Sequence, residues 1–369
     1  MSRDSDERAT TLARVGGRTA FSASPLTQAG KTNLAGTLRR SHDCAIRAAS
    51  LGPHGPFCRL RFRLGSRDRF GSRPPAPRRH AVAVAVGFAM LLVAALAAVR
   101  VDAQQPPQRI VSLVPSVTEM LFAMGAGQRI MAVSSFDHFP AEVERLPRVG
   151  ALVDPDLEKI LSLRPDLVVI YGSQNDLAAK LARANVPTFT YRHGSLGDIT
   201  TTLRELGRRL SLVSKAERVA AALEQDLDRI RTRVKSEARP KTLLVIGREP
   251  RSLRALNVSG GHGFLHDLLE LAGGNNIFGD VKRESLLVST ETILARAPDV
   301  ILELHYTETP SQTLVDQERA AWSILSAVPA VKHGRVELLF GEELVLPGPR
   351  VVLTATAFAR ALHPALMRR

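Results

Sequence analysis

The chain has 369 residues, 44% of them hydrophobic and 23% charged, with a formal net charge of +14, which is room for two or three domains with substantial cores. The charge is concentrated at one end. Residues 1–80 carry 16 Lys/Arg against 5 Asp/Glu and residues 104–369 carry 33 against 30, so the basic pI gives the body of the protein no claim to nucleic acid. Both cysteines, Cys44 and Cys58, lie in the early segment. The remainder therefore has no disulfide framework, thiolate metal site or cysteine nucleophile.

Residues 1–77 are rich in Arg, Ser, Gly and Pro and lack sustained periodicity, so no packed core is expected there. They read as sequence upstream of the true start, with a basic cytoplasmic tail as the alternative. Residues 78–103 read as a signal peptide: Arg78 and Arg79 precede an apolar run from Ala81 to Val99, and Val101-Asp102-Ala103 suits cleavage. An uncleaved membrane anchor is the alternative. The absence of a cysteine after the run argues against a lipoprotein. The expected mature chain begins near Gln104 and is periplasmic.

Residues 104–210 alternate aliphatic runs with amphipathic stretches. "RIVSLV" is a predicted strand and "PSVTEMLFAMGAG" a predicted helix, with Ser116 and Glu119 at capping-box spacing and Gly125 at its end. "IMAVSS" and "PTFTY" are further strands, with helices near 174–184 and 196–210. Strands separated by helical patterns indicate βα units around a mainly parallel sheet. Within residues 211–239 the rhythm changes: Val219, Leu223, Leu227, Ile230 and Val234 recur at helical spacing until Pro240. This predicts one helix of about 24 residues, with Ser214 and Glu217 as a second capping box. Residues 240–369 resume the alternation with "TLLVIG", "GFLHDLLELAGG", "RVELLF" and a last helix near 349–363.

One unit is written twice. "LEKILSLRPDLVVI" (Leu157–Ile170) and "TETILARAPDVILEL" (Thr290–Leu304) share a glutamate, an Ile-Leu pair, a Pro-Asp stop and an aliphatic run. "LFAMGAGQRI" and "LLELAGGNNI" are a second matched pair. The implied fold class is α/β, with two similar lobes of mainly parallel sheet flanked by helices and joined by one long α-helix. A gap between such lobes is a natural ligand cleft. Asp156 and Ser289 cap the repeated helices, placing Glu158 and Glu291 in their first turns. Helix-dipole stabilisation of about 0.3–1 kcal/mol is by itself a sufficient reason for a carboxylate there.

These stretches, in order over roughly 109–364, resemble the periplasmic binding proteins of iron-chelate and cobalamin ABC importers, and most closely the cobalamin-binding branch. The resemblance implies a monomer that carries its ligand to a permease dimer, with Glu158 and Glu291 docking one per lobe on permease arginines. It implies ligand contacts at Phe136 and Tyr171. Two aromatics of the cobalamin branch are replaced by Leu152 and Ser285, and the tyrosine that haem-binding relatives use is replaced by Ala151. A corrinoid is the expected ligand, and a ferric siderophore or haem the alternative.

Arg192 and Arg248 are candidate contacts for an anionic chelate, together with Arg283. His138 and His193, at predicted strand ends, are candidate axial contacts to a chelated metal. His262 and His266 stand four apart but form no set of three or four ligands for a bare metal ion. No Gly-x-Ser-x-Gly elbow, phosphate-binding loop or His-Glu-x-x-His occurs, so neither catalysis nor a resident cofactor is expected. A chelatase-like enzyme of related fold is the catalytic alternative.

Overall fold

The computed structural model describes Met90, residues 105–306 and residues 311–366. The expected tail at 1–77 and signal segment at 78–103 thus fall, Met90 apart, outside the described residues. Among the described residues no helix is long and apolar enough to cross a membrane.

The first half runs β1 (Ile110–Ser112), α1 (Pro115–Ala123), β2 (Ile130–Val133), α2 (Leu157–Ser162), β3 (Leu167–Tyr171), α3 (Asn175–Arg183), β4 (Thr188–Tyr191) and α4 (Leu196–Arg209). Its four strands are all parallel in the order β2-β1-β3-β4, with Ile110 opposite Leu167 and Val168 opposite Thr188. Then comes α5 (Val213–Val234), the long helix, 22 residues in length.

The second half follows with β5 (Lys241–Gly247), β6 (Leu256–Ser259), α6 (Phe264–Leu271), β7 (Asn275–Asn276), β8 (Ser285–Val288), α7 (Thr290–Arg296), β9 (Val300–His305), α8 (Gln312–Ala320), β10 (Val336–Phe340) and α9 (Val351–Leu362). The order is β10-β9-β5-β6-β8, with β7 beside the start of β5. β10, β9, β5 and β7 are parallel, whereas β6 and β8 are antiparallel additions. The sequence reading has neither addition. Each is four residues long, and β8 exposes Ser285 and Leu287 while Leu286 and Val288 pack inward, the pattern of an edge strand with one wet face.

Strand pleating sorts the core into three layers. Leu167 and Val169 of β3, Leu244 of β5 and Val300, Leu302 and Leu304 of β9 face one continuous apolar body that includes Leu223, Leu227 and Val234 of α5. Their alternate neighbours face private outer layers: Val168 and Ile170 pack with Ile160 and Leu181, and Leu243, Val245 and Ile301 with Phe278 and Trp322. Period-two alternation produces this division. α4 lies close against α5 because a Cβ on Gly207 would stand 2.3 Å from the Ala216 Cβ. The long helix is therefore core for both halves rather than an exposed strut.

The repeated unit folds the same way twice. Asp156 and Ser289 accept hydrogen bonds from the backbone N–H of Lys159 and Thr292. Each helix stops at a left-handed residue, Arg164 (φ 46°) or Ala297 (φ 45°), immediately before the proline. The aspartate after each proline does something the sequence reading does not anticipate. Asp166 accepts the N–H groups of Gln108 and Arg109, and Asp299 that of Lys241, so each pins the start of its half's central strand.

Two expected capping boxes are corrected. α1 begins with Pro115 after Val114, which has no side chain able to cap, and Ser116 and Glu119 are buried inside the helix. α5 begins at Val213 without a side-chain cap, and Glu217 instead pairs with Arg204 of α4 at 2.9 Å. Pro at a first helical position already lacks the N–H that a cap would satisfy.

Candidate functional site

In parallel α/β sheets ligands gather at the carboxyl ends of the strands, and the polar and aromatic residues collect there. After β2, Asp137 turns inward: its Oδ2 accepts Ser134 N at 2.9 Å and Ser134 Oγ at 2.6 Å. Burial raises the Asp137 pKa against the pull of those bonds. This tight turn thrusts Phe136 outward, 68% exposed. His138, the next residue after the turn, approaches Glu144 at 3.7 Å. At the end of β3, Gln174 accepts Tyr171 N and donates to Leu152 O, both at 3.0 Å, which holds the exposed Leu152 and Val153 beside the strand ends.

Tyr171, Tyr191 and His193 form an aromatic cluster. His193 lies 6.0 Å from Tyr171 in a near-parallel stack (27°) and 5.3 Å edge-on from Tyr191 (72°). Burial pushes both phenols up to about 12, so they are neutral. His193 is exposed, yet desolvation by the surrounding protein lowers its pKa and Glu284 only partly opposes that. Arg192 is exposed, packs its stem over Gly172, and makes no ion pair among the described residues.

Facing this wall, the second half supplies Ile246, His262, Phe264, Glu284 and Ser285, which with His193 line a recess of about 160 Å³. The loop carrying His262 is set by close backbone packing: a Cβ on Gly260 would lie 2.2 Å from the Arg283 carbonyl oxygen. A Cβ on Gly261 would likewise lie 2.1 Å from the Gly279 carbonyl oxygen. Larger hollows lie along α5 (480 Å³, near Lys215 and Arg218) and beside Leu152 and Lys180 (610 Å³). An open cleft encloses little volume until a ligand fills it, so the recess matters for its residues rather than its size.

Arg248 is corrected. Its side chain is 2% exposed, its Nε stands 2.9 Å from Glu303 and its Nη2 2.9 Å from Glu318, and Nη1 donates to Ser252 O. Buried and paired with two carboxylates, the guanidinium is not presented to a ligand. His266 is likewise engaged, with Asn276 at 3.2 Å. Among the described residues no group of three His, Cys, Asp or Glu is placed to hold a metal ion.

The halves are tied across the cleft by residues read as local or not read at all. Arg350, just before α9, binds Glu119 of α1 at 2.6 Å (Nη2–Oε1) and 3.1 Å (Nε), and stacks over Phe139 at 4.1 Å. Asp267 of α6 accepts Leu196 N of α4 at 2.8 Å. Burial raises the Glu119 pKa and Arg350 pulls it back. Arg350→Gln is expected to cost about 2 kcal/mol of stability at pH 7 by leaving a buried carboxylate unpaired. In that variant the folded pKa of Glu119 rises further above its unfolded value, so the acid is neutral at low pH. The loss should shrink towards pH 4.5 and grow as pH rises, and denaturation at both pH values checks this.

Residues 110–340 match the sequence pattern of the periplasmic binding protein family. The chain belongs to the periplasmic binding proteins. The vitamin B12-binding protein of Yersinia pestis (strain Pestoides F) is 29% identical over 229 residues, spanning 62% of this chain and 78% of that relative. The solved periplasmic vitamin B12 binding protein of Vibrio cholerae superposes with a TM-score of 0.60 at 24% identity, covering 72% of this chain and 99% of that one. The periplasmic heme-binding protein of Roseiflexus sp. RS-1, in apo form, gives 0.58 at 26%, covering 69% and 99%. The two-lobed α/β architecture of this binding protein is thus the family's own.

Proposed function

We propose that this periplasmic binding protein carries a corrinoid to an ABC importer. The observation that supports the reading best is the Tyr171, Tyr191 and His193 cluster at the strand ends, where His193 also lines the recess shared with the other half, together with the exposed Phe136 after β2. A flat macrocycle edged with amides suits apolar rings and neutral phenols, with Glu284 and Ser285 as polar contacts across the cleft. The relative named for vitamin B12 points the same way. Leu152 and Val153, both exposed, supply apolar area where the resemblance implied an aromatic. Ala151 is 5% exposed, so the haem-type tyrosine has no stand-in there.

A ferric siderophore is the second reading, favoured by Arg192, a charged group beside the aromatic cluster with no ion partner among the described residues. Calorimetry with cyanocobalamin, cobinamide, haemin and ferric siderophores separates the two. Micromolar or tighter binding, about −8 kcal/mol, is expected for the corrinoids. Binding confined to an iron chelate overturns the proposal.

A further inference from the structure

We infer that His193 is an axial donor to the metal of the bound chelate, and that the protein therefore prefers a cobalt corrinoid whose outer axial site holds water over one whose site is blocked. The inference rests on the corrinoid reading above. Neither ring nitrogen of His193 has a hydrogen-bond partner among the described residues, although the ring lines the recess between the halves. His193 is exposed, so its nitrogens are open to a ligand that enters the recess. Tyr171 and Tyr191 fix the plane of the ring from two sides, and a neutral imidazole has a lone pair to give.

The surroundings narrow the ligand. Since no cluster of three ligating side chains exists among the described residues, one imidazole cannot hold a bare ion. The metal must arrive already chelated, with one exchangeable position. Glu284 lies across the same recess and its charge acts on the ring. A carboxylate near a ligating histidine orients it and raises its basicity. The step is a simple exchange: water leaves cobalt(III), the imidazole lone pair forms the new bond, and no electron or proton changes hands.

The full chain should be titrated with aquocobalamin and with cyanocobalamin, following both affinity and the visible spectrum. Aquocobalamin is expected to bind about tenfold tighter or more and to shift its visible bands as nitrogen replaces water. His193→Phe, which keeps the stack, should abolish the shift and level the two affinities. His193→Ala should likewise lose the shift. Tight binding of both forms without a spectral change, or a shift that survives in His193→Phe, overturns the axial role and leaves the corrinoid reading standing. Failure of either corrinoid to bind overturns that reading, and the axial role with it.

Discussion

Glu303→Gln is expected to lower the unfolding free energy by about 3 kcal/mol or more, because it breaks a buried ion pair from one side only. Glu303 and Arg248 are each 2% exposed, with Oε1 at 2.9 Å from Arg248 Nε; Trp322 Nε1 donates to Oε2 at 2.8 Å and His305 Nε2 lies 2.9 Å from Oε1. Burial alone would raise the Glu303 pKa, but His305, Arg248 and Trp322 together bring it below its usual value. Its folded pKa being depressed, the stabilisation is present above the unfolded value of about 4.5 and is lost as pH falls through the folded one. The gap between wild type and Glu303→Gln should accordingly close in acid. Glu318 still faces Arg248 at 2.9 Å, which caps the loss. Replacing the pair together, Arg248→Met with Glu303→Leu, should recover most of the stability, as buried pairs exchanged for apolar residues usually do. A single-mutant loss under about 0.5 kcal/mol would mean that the carboxylate is not ionised in the fold.

What the sequence displays well is whatever repeats locally. The apolar spacing of α5, the Pro-Asp stops and the caps at Asp156 and Ser289 are contacts within a few residues, and the structure has each of them. The structure puts Tyr171 at the end of β3 and His193 just past β4, where such folds place ligands; the first is a position the resemblance implies, the second one the strand-end rule predicts. His138 also follows a strand, just after the Ser134–Asp137 turn, and approaches Glu144. Glu119 and Arg248 were misread for a common reason. Their partners lie 231 and 55 residues away, and nothing in a local window shows a distant counter-charge. Glu119 happened to stand three residues after Ser116 and so imitated a cap. Phe264 and Glu284 face the cleft through the antiparallel additions and their loops, which carry no periodic signal of their own.

Reversing two charges, Glu158→Arg with Glu291→Arg, is expected to abolish ligand uptake in cells while leaving ligand affinity within about twofold. We propose that both glutamates dock on the importer's permease. Each is exposed in the first turn of a crossover helix and makes no ion pair among the described residues. Hydrogen bonding with Ser289 holds the Glu291 carboxyl below its usual range, so it is charged at neutral pH. Crossover helices run antiparallel to their strands, so α2 and α7 begin towards the carboxyl edges of their sheets, the edges that border the cleft. A permease with twofold symmetry that seats over the cleft would meet one acidic group from each half, which gives the duplicated unit a use beyond ancestry. Loss of a favourable helix-dipole contact costs at most about 1 kcal/mol per site, so the melting curve should move little. At an arginine-lined interface the same change sets like charges together, a penalty of several kcal/mol that also slows encounter. Uptake of labelled ligand, ligand calorimetry and capture by the reconstituted permease read the three effects separately. If the variant melts many degrees lower, the glutamates belong to the fold; if it transports normally, they belong only to their helices.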